Sequence, residues 1–345
     1  MTPRSRPPVF GFGIVLLGAS LFGTLGPVSR LVYDAGMEPI PFVAWRAMIG
    51  ALTVSAFVAW RLRRGSERLM RFGDLRPRER TMLGIAALCG AGLNIGMFVA
   101  FSRISIALAL LCFYTYPAMV AAVDIAAGRE ALDRSKWFAL ALALGGMVAV
   151  VASQLDPSGG IGLDGIGVAL AFGAAVFQTI FVAVSRDGYR RVPADQATTV
   201  VIGMAFVVTL AIALLTGAGA SLAYPVTRPT LWPLLLYAGL FASALPSLCF
   251  LIGIRVIGGM RAGVVMLWEP VVGVALAAIM LGEKLQPIQL LGGAAILLAA
   301  FILQRSSPVA ETVQEAIGGS PDGLDADGLD AVDAEALAMH VPGGP

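Results

Sequence analysis

The chain has 345 residues, of which 58% are hydrophobic and 13% charged, and its mean hydropathy is +0.84. Soluble domains contain ~45–50% apolar and ~25% charged residues, and a globule of this length needs a polar surface that this composition does not supply. The composition therefore excludes an ordinary soluble protein and predicts a polytopic membrane protein. The formal net charge of +2 is uneven, because eight of the 22 acidic residues follow residue 310.

Ten apolar stretches of ~18–24 residues are each long enough, at 1.5 Å per residue, to cross a hydrocarbon core of ~30 Å. The first follows Arg4 and Arg6 like a secretory signal, but its apolar run is too long and no small-residue cleavage site follows, so we expect it to be retained. The predicted spans are 10–29, 40–60, 82–101, 104–127, 136–153, 164–184, 197–216, 231–252, 260–281 and 287–304.

The distribution of Lys and Arg predicts the orientation of these spans. With the N-terminus in the cytoplasm, 19 of the 24 basic residues lie in inside segments and four in outside segments, while Arg46 lies within a helix. A nine-span alternative, which merges the third and fourth spans, would put the Arg clusters at 61–80 and 186–191 on opposite sides. The sequence therefore favours ten spans with both termini in the cytoplasm, and the Arg61–Arg80 run is expected to contact anionic lipid.

The end of the chain, residues 305–345, is acidic, rich in Gly, Ala and Pro, and contains no aromatic residue. Such a segment buries too little apolar surface to fold, so it is predicted to be a disordered cytoplasmic tail. The three Cys residues lie inside apolar runs and the single His lies in the tail, so the sequence predicts no disulfide framework, metal site or cofactor.

An internal repeat relates the fourth span to the ninth, with Pro117 and Pro270 at equivalent positions 153 residues apart. Each half, 1–153 and 154–304, contains five spans, and an odd number forces the second half to enter the membrane from the opposite side. The predicted fold is therefore all-α, with ten transmembrane helices in two inverted five-helix repeats. Inverted repeats are typical of secondary transporters, whose substrate sites lie near the midplane; a duplicated membrane domain with another purpose is the alternative.

The motifs W-E-P at Trp268–Pro270 and L-G-E-K-L at Leu281–Leu285, followed by Gly292 and Gly293 in the last helix, resemble the EamA-type carriers of the drug/metabolite transporter superfamily. The resemblance covers residues ~10–304. It implies a bacterial inner-membrane exporter of amino acids, nucleosides, other small metabolites or drugs. The first half departs from the pattern of the second, since it has Tyr116 where the second half has Glu269.

Glu269 is the strongest candidate site residue, because it lies close to the midpoint of the ninth span. An acidic side chain there costs roughly 2.5–3.5 kcal/mol to insert, so we expect it to face a cavity or a partner. It is a candidate counter-ion for a substrate amine, a proton-coupling group, or both in turn. The alternative is a structural carboxylate held by Arg46 or by a hydroxyl group.

Pro117 and Pro270 are predicted hinges, since a proline within a helix removes one N–H donor and bends the backbone. Tyr116, as the repeat equivalent of Glu269, is expected to face it across a central cavity. Tyr114 and Trp268 are candidates for the walls of this site, where their rings offer apolar area and a cation–π surface. Packing against neighbouring helices is the alternative for these aromatic side chains.

Four further polar residues lie within spans. Arg46 is predicted to clamp a substrate carboxylate, to pair with Glu269, or to extend towards the outer interface. Asn94 and Gln178 are candidates for substrate contact or for hydrogen bonds between helices. Asp124, near the end of the fourth span, is expected to be solvated.

These residues favour a proton-linked exporter of amino acids or related small metabolites that works by alternating access; efflux of drugs or cationic compounds is the alternative. The spans contain no constellation typical of an enzyme, and the polar residues cluster at mid-depth rather than forming the continuous lining of a channel. The expected partners are a small-molecule substrate, protons and membrane lipid, without nucleic acid; a homodimer is also compatible with the sequence.

Overall fold

The computed structural model describes residues 8–65, 69–101, 103–104, 106–129, 133–152, 164–281 and 286–305, and the predicted tail lies outside them. The described backbone is helical, and its helices are labelled α1–α16 in chain order. Their bounds are α1 Pro8–Gly23, α2 Leu25–Asp34, α3 Pro39–Arg63, α4 Pro77–Phe101, α5 Ile106–Phe113, α6 Tyr116–Ala126, α7 Arg134–Ala152, α8 Gly165–Asp187, α9 Ala194–Leu215, α10 Gly219–Leu222, α11 Tyr224–Thr227, α12 Trp232–Gly239, α13 Leu245–Ile257, α14 Gly259–Met266, α15 Trp268–Leu281 and α16 Pro287–Arg305.

The ten predicted spans are all found as helices, and the all-helical membrane fold is confirmed. Within the described residues, eight helical stretches are long and apolar enough to cross a membrane. The ninth span is divided into α14 and α15, and the tenth, α16, is a shorter apolar helix. Observed and predicted span ends differ by five residues or fewer.

Three spans break three residues before a proline. The breaks fall at Thr24, at Tyr114–Thr115 and at Leu267, ahead of prolines 27, 117 and 270. At each break a backbone N–H bonds to the carbonyl three residues back instead of four, namely Thr24 to Leu21, Thr115 to Cys112 and Leu267 to Val264. A proline frees the carbonyl four residues before it, so the chain tightens locally to satisfy its remaining groups.

One of these breaks and one further irregularity were not predicted from the sequence. The first span divides into α1 and α2 at Thr24. The eighth span contains a π-helical turn, Leu240–Ala244, immediately before the helix that carries Pro246.

The packing of the spans repeats after exchange of the two halves. The first span packs on the eighth and the third on the sixth, while the second packs on the seventh and the fourth on the ninth. If each span is replaced by its equivalent in the other half (first by sixth, second by seventh, and so on), the same set of packed pairs results. The fifth span meets the tenth where a Cβ built on Gly146 would lie 2.6 Å from the Gly292 carbonyl oxygen. Helices of the two halves therefore build one common core with two-fold pseudo-symmetry, as in inverted-repeat transporters.

Basic side chains gather at one end of the helices. There α3, α6, α8 and α13 finish at or beside Arg61, Arg129, Arg186 and Arg255. We call this the arginine-rich end and the other the opposite end. The two proline breaks at Tyr114–Thr115 and Leu267 lie between them, about halfway along their spans.

Candidate functional site

Glu269 lies in the first turn of α15, directly after the break at Leu267. Its side chain is partly exposed, and the hydroxyl of Tyr114 lies within hydrogen-bonding reach of its carboxylate. Tyr114 is only 1% exposed. The carboxylate of the ninth span therefore lies beside a neutral donor from the fourth span, at the level where both spans are broken.

Tyr116, the repeat equivalent of Glu269, lies close by. It is 1% exposed, and it interacts electrostatically with Glu269 and lies within hydrogen-bonding reach of Gln178. Its ring packs at a centroid distance of 5.3 Å from that of Phe113. Tyr114 is thus the tyrosine within hydrogen-bonding reach of Glu269, and Tyr116 interacts with Glu269 without a hydrogen bond.

Arg46 points into the helix bundle. It is 6% exposed, and its Nη2 donates to Asn94 Oδ1 over 2.7 Å. Asn94 in turn donates to the Gly90 carbonyl over 2.7 Å. The guanidinium carbon lies 5.8 Å from the centre of the Phe98 ring, and Arg46 Nε has no hydrogen-bond partner among the described residues.

Glu269 and Arg46 lie within electrostatic range of one another, while Arg46 donates its hydrogen bond to the neutral Asn94 and Glu269 lies beside the neutral Tyr114. Tyr33 joins this group, since it interacts electrostatically with Arg46 and its hydroxyl bonds to Ser29. Sequence reasoning missed Tyr33, which lies four residues beyond the predicted end of the first span. The carboxylate of Glu269 and the guanidinium of Arg46 therefore lie in one site but are not hydrogen-bonded to each other.

Trp268 connects the ninth span to the first. Its indole Nε1 donates to Ser20 Oγ over 3.2 Å, and Ser20 in turn donates to the Leu16 carbonyl over 2.9 Å. Trp268 also lines a cavity of about 290 Å³ between α7, α15 and α16, together with Val271 and Gln289. It therefore lies between the Glu269 region and an apolar space at the edge of the bundle.

The predicted hinges lie at close helix crossings. A Cβ built on Gly263 of α14 would lie 3.4 Å from Pro117 Cβ, so the proline region of the fourth span packs directly on the ninth. A Cβ built on Gly23 would lie 2.6 Å from the Glu269 carbonyl oxygen, which brings the broken region of the first span against that of the ninth.

The prediction that Asp124 is solvated is wrong. Its side chain is 2% exposed, and it lies 3.6 Å from Arg129 and 3.6 Å from Arg186 at the arginine-rich end. Arg186 follows in the sixth span, far along the chain, so nothing in the local sequence indicated this burial.

The searched part of the chain contains no group of three or more His, Cys, Asp or Glu residues placed to hold a metal ion. Opposite charges at mid-depth, beside broken helices in a two-fold bundle, are typical of membrane transporters. The fold and the site define a multi-pass membrane protein of this class. The sequence model of the EamA-like transporter family matches residues 9–152 and 165–305, so the chain belongs to that family, within the drug/metabolite transporter superfamily.

Two relatives are similar over nearly their whole length. The uncharacterized transporter YwfM of Bacillus subtilis is 24% identical over 318 residues, which cover 88% of this chain and 96% of the relative. An uncharacterized transporter of Archaeoglobus fulgidus is 26% identical over 297 residues, 86% of this chain and 97% of the relative. A solved crystal structure superimposes with a TM-score of 0.65 at 19% identity, covering 86% of this chain and 95% of that one, which supports the fold alone.

Proposed function

We propose that this protein is a proton-linked exporter of amino acids or related small metabolites, which works by alternating access. We place it in a bacterial inner membrane, with both termini in the cytoplasm, because of the basic residues at the arginine-rich end. Membership of a transporter family supports the general activity; the geometry of the charged site supports the substrate class and the coupling.

The observation that carries the proposal is the pair of opposite charges beside the helix breaks, each next to a neutral partner. Glu269 lies within hydrogen-bonding reach of Tyr114 and Arg46 donates to Asn94, while Arg46 Nε remains without a hydrogen-bond partner in the described part of the chain. A zwitterion satisfies both, with its ammonium group at Glu269 and its carboxylate at Arg46. A substrate that carries only a positive charge would be repelled by Arg46, so the site favours an amino acid over a cationic drug.

Proton coupling follows from letting a proton and the substrate amine compete for the same carboxylate. Ionised Glu269 binds the ammonium group from the cytoplasmic side, and the loaded site then opens to the outside. A proton entering from outside neutralises Glu269 and releases the substrate, and the protonated carrier returns. Each cycle exchanges one substrate for one proton, so an inward proton gradient drives export.

Burial along the ninth span supports a closed arginine-rich end. All eight residues of α14, which lies on that side of the break at Leu267, are buried. This burial fits a carrier whose site is closed towards the arginine-rich end.

The test is amino-acid transport in proteoliposomes with and without a pH gradient. We expect Glu269→Gln to lower gradient-driven accumulation at least about tenfold and to make the remaining exchange insensitive to the pH gradient, because the amide does not take up or release a proton at working pH. Glu38→Gln is the matched control, since Glu38 is exposed and its side chain makes no capping bond. Gradient-driven transport that survives in Glu269→Gln would refute the coupling, and flux that rises linearly without saturation would identify a channel.

A further inference from the structure

A cluster of charges lies below the substrate site, at the arginine-rich end, and the binding chemistry does not account for it. We propose that Asp124, with Arg186 and Arg129, is an ionic gate that holds the arginine-rich end closed, and that its release opens the site to that side. This inference rests on the alternating access proposed above.

The gate connects three spans. Asp124 lies near the end of α6, Arg186 near the end of α8, and the start of α14 packs against both. Arg186 Nη1 is 3.6 Å from Asp124 Oδ2. Arg129 reaches Asp124 Oδ1 at 3.6 Å and also donates to the Ala183 carbonyl of α8 over 3.3 Å.

Glycine brings α14 into this contact. Gly258 has a φ of +85°, a conformation that residues with a Cβ rarely adopt. A Cβ on Gly258 would lie 3.6 Å from the Arg186 guanidinium carbon, and one on Gly259 would lie 3.5 Å from Asp124 Oδ2. Asp124 therefore lies at the positive end of the α14 dipole, which adds a second attraction between the fourth and ninth spans.

The two half-helices α6 and α14 join the gate to the substrate site. α6 and α14 pack against each other. α6 carries Tyr116 at one end and Asp124 near the other, and α14 runs from the gate to the break before Trp268 and Glu269. Eight residues of helix span about 12 Å, so a movement of α14 about the break at Leu267 acts on both places at once.

The ion pair between Asp124 and Arg186 is not reinforced by hydrogen bonds. Asp124 Oδ2 and Arg186 Nη1 form an ion pair, but neither atom has a hydrogen-bond partner in the part of the chain that the structure describes. A buried ion pair without full hydrogen bonding adds little to fold stability, because its desolvation offsets the attraction. Such a pair suits a contact that forms in one state of the carrier and is given up in the other.

At the opposite end, the positions equivalent by the repeat do not carry such a pair. The repeat offset of 153 residues places Ala277 where the first half has Asp124. The sequence Val184–Arg186 of the sixth span matches Val28–Arg30 of the first span at an offset of 156, so Arg186 corresponds to Arg30. Arg30 is exposed. The proposed gate is therefore specific to one end, although the two halves share one architecture.

The test measures access to a cysteine between the gate and the site. Val120 lies one turn from Asp124 and one turn from Tyr116 on α6, and it is 1% exposed. Val120→Cys is made in a background in which the three buried native cysteines are replaced by alanine. Labelling with a charged, membrane-impermeant methanethiosulfonate is followed from each side in right-side-out and inside-out vesicles.

We expect Asp124→Asn and Arg186→Gln each to raise the labelling rate from the arginine-rich end at least about fivefold. The double variant should label no faster than the faster single variant, because both changes remove the same contact. Asp164→Asn is the matched control, since it breaks the Arg103–Asp164 ion pair outside this region and should leave the rate unchanged.

Labelling of Asp124→Asn and Arg186→Gln at the parent rate would overturn the gate. An equal increase in Asp164→Asn would also overturn it, because the effect would then be general loosening. If Asp124→Asn does not fold, Arg186→Gln decides alone, since Arg186 is 24% exposed and its loss leaves Asp124 with Arg129. The readout needs no substrate, so failure of the Glu269 experiment with a positive labelling result would refute proton coupling and leave the gate standing.

Discussion

The contact between the fifth and tenth spans leads to a sharp prediction about Gly146. A methyl group on Gly146 would lie 2.6 Å from the Gly292 carbonyl oxygen and 3.1 Å from Ala295 Cβ. A carbon and an oxygen in ordinary contact are separated by about 3.3 Å, so Gly146→Ala must push α7 and α16 apart by roughly 0.7 Å. The carbonyl belongs to a helix backbone, which cannot turn aside as a flexible side chain would.

The expected cost follows from two opposing effects. Forcing an extra methyl group into a packed contact destabilises a protein by about 1–3 kcal/mol. Replacing glycine by alanine within a helix returns up to about 1 kcal/mol. Since the clash of roughly 0.7 Å is with a rigid backbone, the cost lies towards the upper part of this range, so Gly146→Ala should lower the free energy of unfolding by about 1–2 kcal/mol after the return of about 1 kcal/mol.

The neighbouring residue supplies the control. Gly145 lies in the same helix, and a methyl group there would meet nothing within 4 Å, so Gly145→Ala should be neutral or stabilising by up to about 1 kcal/mol. Thermal unfolding of both purified variants in the same detergent measures the difference. Equal midpoints, or a higher midpoint for Gly146→Ala, would refute the close approach of the two backbones.

Two further predictions concern Asn94 and Asp164. Asn94→Ala removes the acceptor of the Arg46 hydrogen bond, so the half-saturating concentration for amino acids should rise roughly tenfold, while that for the corresponding amino-acid amides stays unchanged; an equal rise for both would contradict a carboxylate subsite. The hydrogen bond from Arg103 lowers the pKa of the Asp164 carboxyl. The stabilisation by this ion pair is therefore present above the unfolded pKa of ~3.9 and is lost as pH falls through the lower folded pKa. Thermal midpoints of the parent and Asp164→Asn should converge below pH ~4. A difference between the midpoints that widens on acidification would exclude a stabilising role of the ion pair.

The spans and two of the helix breaks were predictable because their causes are local. Apolar length defines a span, and Pro117 and Pro270 each remove a donor from their own helix. The break at Thr24 has the same cause, since Pro27 follows it, but a hydropathy average over the whole first span does not reveal a local break. The π-helical turn Leu240–Ala244 precedes a proline in the same way and is equally hidden in an apolar run.

The site was predictable in part, because residue type and depth identify costly groups but not their partners. Glu269 and Arg46 stood out as charges within apolar spans. That Arg46 donates to Asn94, and that Tyr114 rather than Tyr116 lies within hydrogen-bonding reach of Glu269, depends on helix rotation, which one sequence does not reveal. The burial of Asp124 depends on Arg186 in another span, so the short distance from Asp124 to the predicted helix end was misleading.

The shared core of the two halves has a consequence for the order in which the protein is made. Arg46 meets its partner Asn94 as soon as the third span has been inserted. Asp124 of the fourth span has Arg129 nearby in its own half, but its second cation, Arg186, belongs to the sixth span in the other half of the chain. A nascent protein stopped after the fifth span would therefore hold Asp124 with only one of its two cations and without α8 and α14, which pack around it. Synthesis of the second half completes this charge cluster, so we expect neither half to mature alone.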